Sequence, residues 1–366
     1  MNFDYNEEQG LLAESVKRFV AQDYGFEERG RIVASAEGYS PKVWATLADL
    51  GLLGLSVSPD HGGFGGGAVD MMSTMEAIGD ALVVEPYLAT VGIGARFIAL
   101  AGTAEQREAI LPAVVEGKMK LAFAHTEASS RYDLAPVAVE EREGMLHGTK
   151  HVVLHGPQAD KLIVSVRSTQ GASLYLVDAK AKGLSMKAYR TIDEVRAADV
   201  SFDGVKVSAD DRLGGEGAAL PVIEEVVDFA TALVCAEAVG AIRFANDTTL
   251  EYLKTRKQFG VPIGSFQALQ HRLVDMVISY EQARSMASLA CARVDAEKDP
   301  AQRKRIVSAA KVRIADACRH VSQESVQLHG GMGMTEELKV SHTFRRLTTI
   351  AQQFGDADHH LERFAR

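Results

Sequence analysis

The stretch Arg256–Gly260, which reads Arg-Lys-Gln-Phe-Gly, places an arginine close to an aromatic residue, and Gln267 follows soon after. A guanidinium group can bind phosphate oxygens through two parallel hydrogen bonds. Phe259 is suited to cover an aromatic base, and the Gln267 amide to fix a polar edge. The spacing therefore predicts a turn between two helices that presents these groups together. The pentapeptide alone also fits a helix end, with Gly260 as C-cap and Phe259 in the core.

A second stretch near the C-terminus reads Gln327-Leu-His-Gly-Gly-Met-Gly333. Glycines at a helix end allow a ligand to approach the backbone closely. Together the two stretches resemble the acyl-CoA dehydrogenase family, whose pattern is R-x-x-F-G, then F-Q, then Q-x-x-G-G-x-G, and later an arginine-rich helix. The resemblance implies that the cofactor is FAD and that each subunit holds the ADP half of its neighbour's FAD across a dimer interface. The cofactor-binding residues implied in this way are Arg256, Phe259, Gln267, Gln327, Gly330 and Gly331.

Length and composition limit the classes of protein. The 366 residues suffice for two or three domains, and 46% hydrophobic with 24% charged residues is ordinary for a globular protein. The net charge of −9 argues against general nucleic-acid binding, which needs a basic face. The acidic N-terminus shows no signal peptide, and no apolar run approaches the ~18 residues that span a bilayer. We therefore expect a cytoplasmic protein without a membrane span.

The cysteines and histidines predict neither disulfides nor a metal site. The cysteines lie in apolar, helix-like contexts without the spacing of metal ligands: Cys235, Cys291 and Cys318. Four histidines were compared with metal-ligand motifs and match none: His155, His329, His359 and His360. A reducing compartment fits this usage.

The hydrophobic periodicity changes twice along the chain, which predicts three domains with bounds 1–118, 119–213 and 214–366. Helical spacing predicts helices at 69–78, 86–100, 104–115, 220–255, 266–295, 301–328 and from 339. Short β-rich runs predict strands at 121–124, 137–140, 151–154, 161–166, 173–177 and 199–202. The predicted class is α+β, and the layout resembles the acyl-CoA dehydrogenase fold, with an N-terminal helical domain, a central β-domain and a C-terminal four-helix bundle.

The β-domain departs from the family in the motifs that hold a subunit's own flavin. The family pattern T-E-P-x-x-G-S-D stands here as Thr126-Glu-Ala-Ser-Ser-Arg-Tyr-Asp133, so Arg131 replaces the glycine and Tyr132 the phosphate-binding serine. A side chain at the glycine position would obstruct contact with pyrophosphate. The alternative is that the loop is re-routed. In the strand pattern K-x-W-I-T-N-G, Val152 replaces the aromatic residue and Leu154 the threonine, so neither a ring nor a hydroxyl is present.

The catalytic glutamate of the family is missing from both of its usual positions. The resemblance implies that this base abstracts an α-proton from an acyl-CoA while a hydride passes to flavin. Matching the motifs places Phe354 at the late position and Ala230 at the position on the helix before R-x-x-F-G. Neither side chain accepts a proton, so we predict no catalytic residue. Asp228 and Asp356 lie nearby, either as displaced bases or, as the favoured alternative, as solvated acids at helix ends.

The departures from the family pattern affect the residues that would hold this subunit's own flavin and act as its base, whereas the residues implied to bind a neighbour's FAD remain. The chain therefore resembles the shorter, β-type subunit of heterotetrameric α2β2 acyl-CoA dehydrogenases, such as pimeloyl-CoA dehydrogenase small subunits or the enzymes of steroid side chains, and the 354–361 tail fits it. The resemblance implies a related partner subunit, an acyl-CoA substrate and an electron-transferring flavoprotein. The alternatives are a homotetramer with a displaced base, a flavin oxidase or monooxygenase, and a DNA-associated member of the fold.

Overall fold

In the computed structural model, which describes residues 7–135 and 137–366, the chain divides into two units. The first consists of Met1–Gly30, Ala68–Val83 and Thr231–Arg366, and the second of Arg31–Gly67 and Val84–Ala230. These units cut across the three predicted sequence domains, whose bounds stay a prediction.

Helices precede the sheet along the chain. They are α1 Glu7–Asp23, α2 Phe26–Ala34, α3 Pro41–Asp49, α4 Ala68–Ala81, a π-helix at Leu88–Ala95, α5 Arg96–Ala101 and α6 Ala104–Val115. Ser40 begins α3 because its hydroxyl accepts the Val43 N–H. Thr103 and Gln106 form a capping box at the start of α6. The helix predicted at 86–100 is helical from Leu88 to Ala101, but its first half is a π-helix and only α5 is an α-helix.

The central strands form one eight-stranded sheet with the order β6-β7-β3-β2-β4-β5-β8, and β1 pairs in parallel with β4. They are β1 Leu121–Ala124, β2 Glu140–Arg142, β3 Met145–Leu154, β4 Lys161–Ser168, β5 Gly171–Asp178, β6 Leu184–Arg190, β7 Arg196–Lys206 and β8 Arg212–Leu213. One face buries a core that includes Leu146, Val164 and Val200. The predicted strand at 137–140 is wrong, because the N–H groups of Ala138 and Val139 donate to a carboxylate and not to a neighbouring strand.

Helices resume after the sheet. They are α7 Ala219–Thr255, α8 Gln267–Val294, α9 Pro300–His329, α10 Lys339–Gln352 and α11 Ala357–Ala365, with the short strands β9 Lys257–Gln258 and β10 Val261–Pro262 between α7 and α8. The final helix predicted from 339 is in fact two helices, because Phe354 and Gly355 have positive φ and break it. This order of helices, sheet and helices confirms the predicted α+β class.

Close packing and a buried ion pair fix α7 in the first unit. A Cβ at Gly240 would lie 1.8 Å from the Glu76 carbonyl oxygen, so α7 and α4 cross backbone against backbone. The Arg346 guanidinium of α10 donates to both carboxylate oxygens of Glu237 on α7, at 2.6 and 2.8 Å. These contacts position α7, and the first predicted binding residue, Arg256, follows directly after its last residue. Among the described residues, no helix is both long enough and apolar enough to cross a membrane.

Candidate nucleotide-binding site

The Arg256–Gly260 stretch forms a β-hairpin directly after α7. β9 pairs antiparallel with β10, and Phe259 and Gly260 make the two-residue loop between them. Their φ values are 56° and 82°, as a type I′ turn requires. The alternative interpretation, a C-cap glycine with Phe259 in the core, is wrong, because α7 already ends at Thr255 and Phe259 is 90% exposed.

Phe259 stands in a costly backbone conformation. A non-glycine residue at positive φ costs about 1–3 kcal/mol, and such positions cluster at functional sites. The ring gains little burial in return, and its aromatic contact is an edge-on approach to Phe266 at 6.1 Å between ring centroids. Strain combined with exposure is typical of functional positions, and the binding role of Phe259 stays a prediction.

A cavity of about 510 Å³ lies at the base of this hairpin, lined by the end of α7, the start of α8 and the end of α9. It brings together four of the six predicted cofactor-binding residues: Arg256, Gln327, Gly330 and Gly331. The other two lie outside its lining, Phe259 at the hairpin tip and Gln267 as the exposed first residue of α8. The role of all six as ligands stays a prediction.

The glycines of the second motif differ in what the chain requires of them. Gly330 ends α9 with φ 60°, and its N–H donates to the Gln327 carbonyl oxygen. A Cβ at Gly331 would meet no atom of the residues that the structure describes within 4 Å, and the φ of Gly331 is not in the left-handed region. A Cβ at Gly333, in contrast, would lie 2.7 Å from the Val326 carbonyl oxygen. Packing explains Gly333, whereas nothing within the described chain demands a glycine at Gly331.

One of the two arginines that line the cavity forms no ion pair within the described chain. Within the described part of the chain, the Arg256 guanidinium has no hydrogen-bond or ion-pair partner. The second arginine of the lining, Arg272, is held by the Glu324 carboxylate at 2.6 and 2.9 Å, a hydrogen-bonded pair that raises the pKa of Arg272. Arg256 is therefore the better placed of the two to bind a phosphate.

The cavity lining also includes residues that the motifs did not predict as binding residues, among them Tyr252, Arg272 and His329. Tyr252 lies one helical turn before Arg256, and its ring stacks on His329 with 4.4 Å between ring centroids. The available signals were the i, i+4 spacing to Arg256 and the position of His329 immediately before Gly330. Burial lowers the pKa of His329, so its ring is neutral near pH 7.

In the β-domain, the loop after β1 keeps a turn that favours glycine although no glycine is present. Arg131 has φ 44°, which lies at the edge of the left-handed region, and its side chain is exposed. The Arg131 guanidinium lies 5.2 Å from the centroid of the Tyr132 ring. The two bulky side chains thus occupy the loop where the family pattern has glycine and serine.

The strand positions that differ from the family are also irregular. Val152 has φ 50° and is 47% exposed, at a register shift between Lys150 and Val153 in the pairing of β3 with β7. A β-branched residue at positive φ is a conformational outlier. Leu154 follows as a half-buried residue at the end of β3. Neither Val152 nor Leu154 contributes a hydroxyl or an aromatic ring.

Glu127 belongs to the Thr126-Glu127 pair that the chain shares with the family pattern, and it has a buried partner, Lys150, that the sequence did not indicate. The fully buried Lys150 ammonium donates to Glu127 at 2.5 Å, to Ser165 Oγ at 2.9 Å and to the His125 carbonyl oxygen at 3.2 Å. Burial lowers the pKa of Lys150 to about 8, although the Glu127 carboxylate opposes the shift. All three ammonium protons are used, so Glu127 serves the core of the sheet.

Neither usual base position carries an ionisable group. Ala230 is fully buried in α7, and Phe354 lies half-buried in the turn between α10 and α11. The Asp356 carboxylate accepts the His359 N–H at 2.9 Å and caps α11, as expected of an acid at a helix end. The same interpretation is wrong for Asp228, which is 1% exposed inside α7.

Comparisons with known proteins agree with this architecture. The family model for the acyl-CoA dehydrogenase N-terminal domain matches residues 6–118, and that for the C-terminal domain matches residues 217–366. The caffeyl-CoA reductase-Etf complex subunit CarC of Acetobacterium woodii is 27% identical over 94% of both chains. The ChsE4-ChsE5 complex from Mycobacterium tuberculosis has a chain with a TM-score of 0.91 and 27% identity, over 100% of this chain and 98% of that one. A structure of PigA with FAD and proline has a TM-score of 0.91 and 26% identity, with the same coverage.

The chain belongs to the acyl-CoA dehydrogenase family, a family of FAD-dependent oxidoreductases. The family and fold predicted from the two motifs are thereby confirmed.

Proposed function

We propose that this chain is the β-type subunit of a heteromeric, FAD-dependent acyl-CoA dehydrogenase and that it binds the ADP half of an FAD whose flavin lies in a related partner subunit. The observation that carries the proposal is the contrast within the chain. The cavity of the first unit keeps Arg256, whose guanidinium has no partner among the described residues, and Gly331, where a Cβ would meet none of their atoms within 4 Å. The β-domain has Arg131 where a glycine would admit pyrophosphate, and Phe354 and Ala230 cannot act as a base.

The cavity fits the polar half of FAD. Arg256 would bind the pyrophosphate through its guanidinium fork, and Phe259 would cover the adenosine. Gln327, Gly330 and Gly331 would provide amide and backbone contacts, and the exposed Gln267 would hydrogen-bond the nucleotide from the start of α8. When bound, FAD accepts the hydride that desaturation releases. The residues of this chain bind and orient it.

The partner subunit would supply what this chain lacks, namely the glutamate base and the pocket for the flavin ring. The similarity to a chain of the ChsE4-ChsE5 complex supports a pair of related subunits, which we propose to form an α2β2 heterotetramer in the cytoplasm. The substrate would be an acyl-CoA with a bulky or dicarboxylic acyl group, such as one from steroid degradation, desaturated as in β-oxidation. The electrons would leave to an electron-transferring flavoprotein, which the similarity to CarC, a subunit of a caffeyl-CoA reductase-Etf complex, supports.

An exposed apolar stripe on α8 is a suitable surface for this partner. Val274, Val277 and Ile278 are 55%, 44% and 49% exposed, and their i, i+3, i+4 spacing places them on one face of the helix. The face continues toward Phe266, which is 39% exposed beside the hairpin. Apolar residues grouped on one exposed face mark interaction surfaces. A chain that covers the stripe would also reach the nucleotide cavity.

Replacing Val277 by glutamate is expected to separate the complex while leaving this chain folded. Burial of a charge without a partner in an apolar interface costs several kcal/mol, whereas a glutamate on the free helix is solvated. The measurement is the mass of the co-expressed pair by size-exclusion chromatography with light scattering. Glu281→Gln, one turn further along α8 and also exposed, is the control. A Val277→Glu complex of unchanged mass and thermal stability would contradict the assignment of this face.

A further inference from the structure

His329 lines the nucleotide cavity and is buried, and it occupies a variable position of the second motif. It is the last residue of α9 and is 3% exposed. Its ring stacks on Tyr252 with an angle of 29° between the ring planes, so the orientation of the imidazole is fixed. A buried, oriented imidazole in a cavity has a defined hydrogen-bonding direction, which the neighbouring groups determine.

The protonation of His329 follows from its partner. Nδ1 lies 2.8 Å from the carbonyl oxygen of Ser325, and because a carbonyl oxygen only accepts, Nδ1 carries the proton. Burial lowers the pKa of His329, so the ring stays neutral near pH 7 and Nε2 has a free lone pair. Within the described chain, Nε2 has no hydrogen-bond partner. The Nε2 atom is also not fully buried. The nitrogen that His329 offers to a ligand is therefore an acceptor.

This acceptor contrasts with the other polar groups of the cavity. Arg256 and Arg272 only donate, and they suit the anionic part of a nucleotide. A phosphate oxygen facing Nε2 would place two acceptors against each other, which excludes a phosphate from that position. The atom that faces His329 must therefore belong to a hydrogen-bond donor of the ligand.

We propose that His329 Nε2 accepts a hydrogen bond from a donor group of the bound nucleotide, either a ribose hydroxyl or the amino group of adenine, and thereby determines which nucleotides the cavity takes. The assignment rests on the proposed function, because it presupposes that the cavity binds a nucleotide. The assignment adds to the proposed function a residue that selects the ligand by its ribose or adenine and not by its phosphates. Arg256, in contrast, recognises charge that all nucleoside diphosphates share.

The test is a titration of the full chain with ADP and three analogues, followed by calorimetry. The analogues are 2′-deoxy-ADP, 3′-deoxy-ADP and purine riboside diphosphate, each of which lacks one donor. One of them is expected to bind the native chain about 3- to 10-fold more weakly than ADP, the effect of one hydrogen bond. In His329→Phe, which keeps a ring against Tyr252, the same analogue and ADP should bind alike. His271→Phe, at an exposed position of α8, should keep the native discrimination.

The outcomes separate the inference from the proposed function. Equal binding of ADP and all three analogues to the native chain overturns the role of His329, and so does a discrimination that persists in His329→Phe. If His329→Phe does not fold, the analogue series on the native chain still decides between one discriminated donor and none. No binding of ADP to the native chain overturns the nucleotide cavity and this inference together. If ADP binding requires Arg256 but the three analogues bind as tightly as ADP, this inference alone is overturned.

Discussion

Replacing Arg256 by alanine is expected to weaken the binding of ADP to this chain about 10- to 100-fold, since charged hydrogen bonds contribute about 1.5–3 kcal/mol. The stability of the chain should not change, because the Arg256 side chain has no partner among the described residues. The ADP affinity of Arg256→Lys should lie between that of the native chain and that of Arg256→Ala, since an ammonium keeps the positive charge but lacks the planar guanidinium fork. The measurement is the dissociation constant of ADP by calorimetry, together with the thermal unfolding midpoint.

The control for Arg256 is another exposed arginine, Arg319, which forms an ion pair with Asp316 at 2.9 Å on α9. Arg319→Ala changes the net charge of the chain by the same amount as Arg256→Ala, and it should leave the dissociation constant of ADP unchanged. If Arg256→Ala binds ADP as the native chain does, the cavity does not use the arginine of the first motif. If both variants weaken binding equally, the effect is one of overall charge.

Replacing Gly331 by alanine is expected to reduce ADP binding at least tenfold, a loss of about 1.4 kcal/mol or more, without loss of stability. A Cβ there would meet no atom of the described residues within 4 Å, so we expect it to exclude a ligand at the cavity wall and not a part of the described chain. The substitution also restricts the unfolded chain and should raise stability by about 0.4–1 kcal/mol. The measurements are the ADP dissociation constant and the urea unfolding midpoint.

Gly333→Ala is the matched control within the same motif. Its Cβ would lie 2.7 Å from the Val326 carbonyl oxygen, so overpacking should cost about 1–3 kcal/mol of stability. One glycine should thus affect binding and the other folding. Native affinity for ADP in Gly331→Ala would show that the ligand does not approach this part of the backbone.

The sequence predicted the elements whose signals are local. β1 at Leu121–Ala124 and α6 at Ala104–Val115 have the predicted bounds, since a β-rich run and a capping box determine them. β6 was missed because its burial alternates only weakly and it carries lysine and arginine. The hairpin of β9 and β10 was also missed, because its turn requires a phenylalanine at positive φ, which no propensity favours.

The site could be predicted only where a motif carried it. Arg256 and Gly331 follow from two motifs, but their meeting in one cavity depends on how α7 and α9 end beside each other. Tyr252 lies outside both motifs and His329 at a variable position of the second, and their stacking is a tertiary contact between residues far apart in sequence. The burial of Lys150 against Glu127 is likewise invisible in the sequence, where both read as surface residues.

The count of FAD per polypeptide tests the division of the site between two subunits most directly. The chain is produced alone and together with a candidate partner chain of the acyl-CoA dehydrogenase family, and flavin absorbance is compared with protein concentration. We expect the lone chain to retain no flavin and the pair to hold one FAD per two chains, which Arg256→Ala removes. One FAD per subunit in the lone chain, with oxidation of an acyl-CoA, would contradict a site divided between two subunits. It would also make the buried Asp228 and the helix cap Asp356 the next candidates for the base.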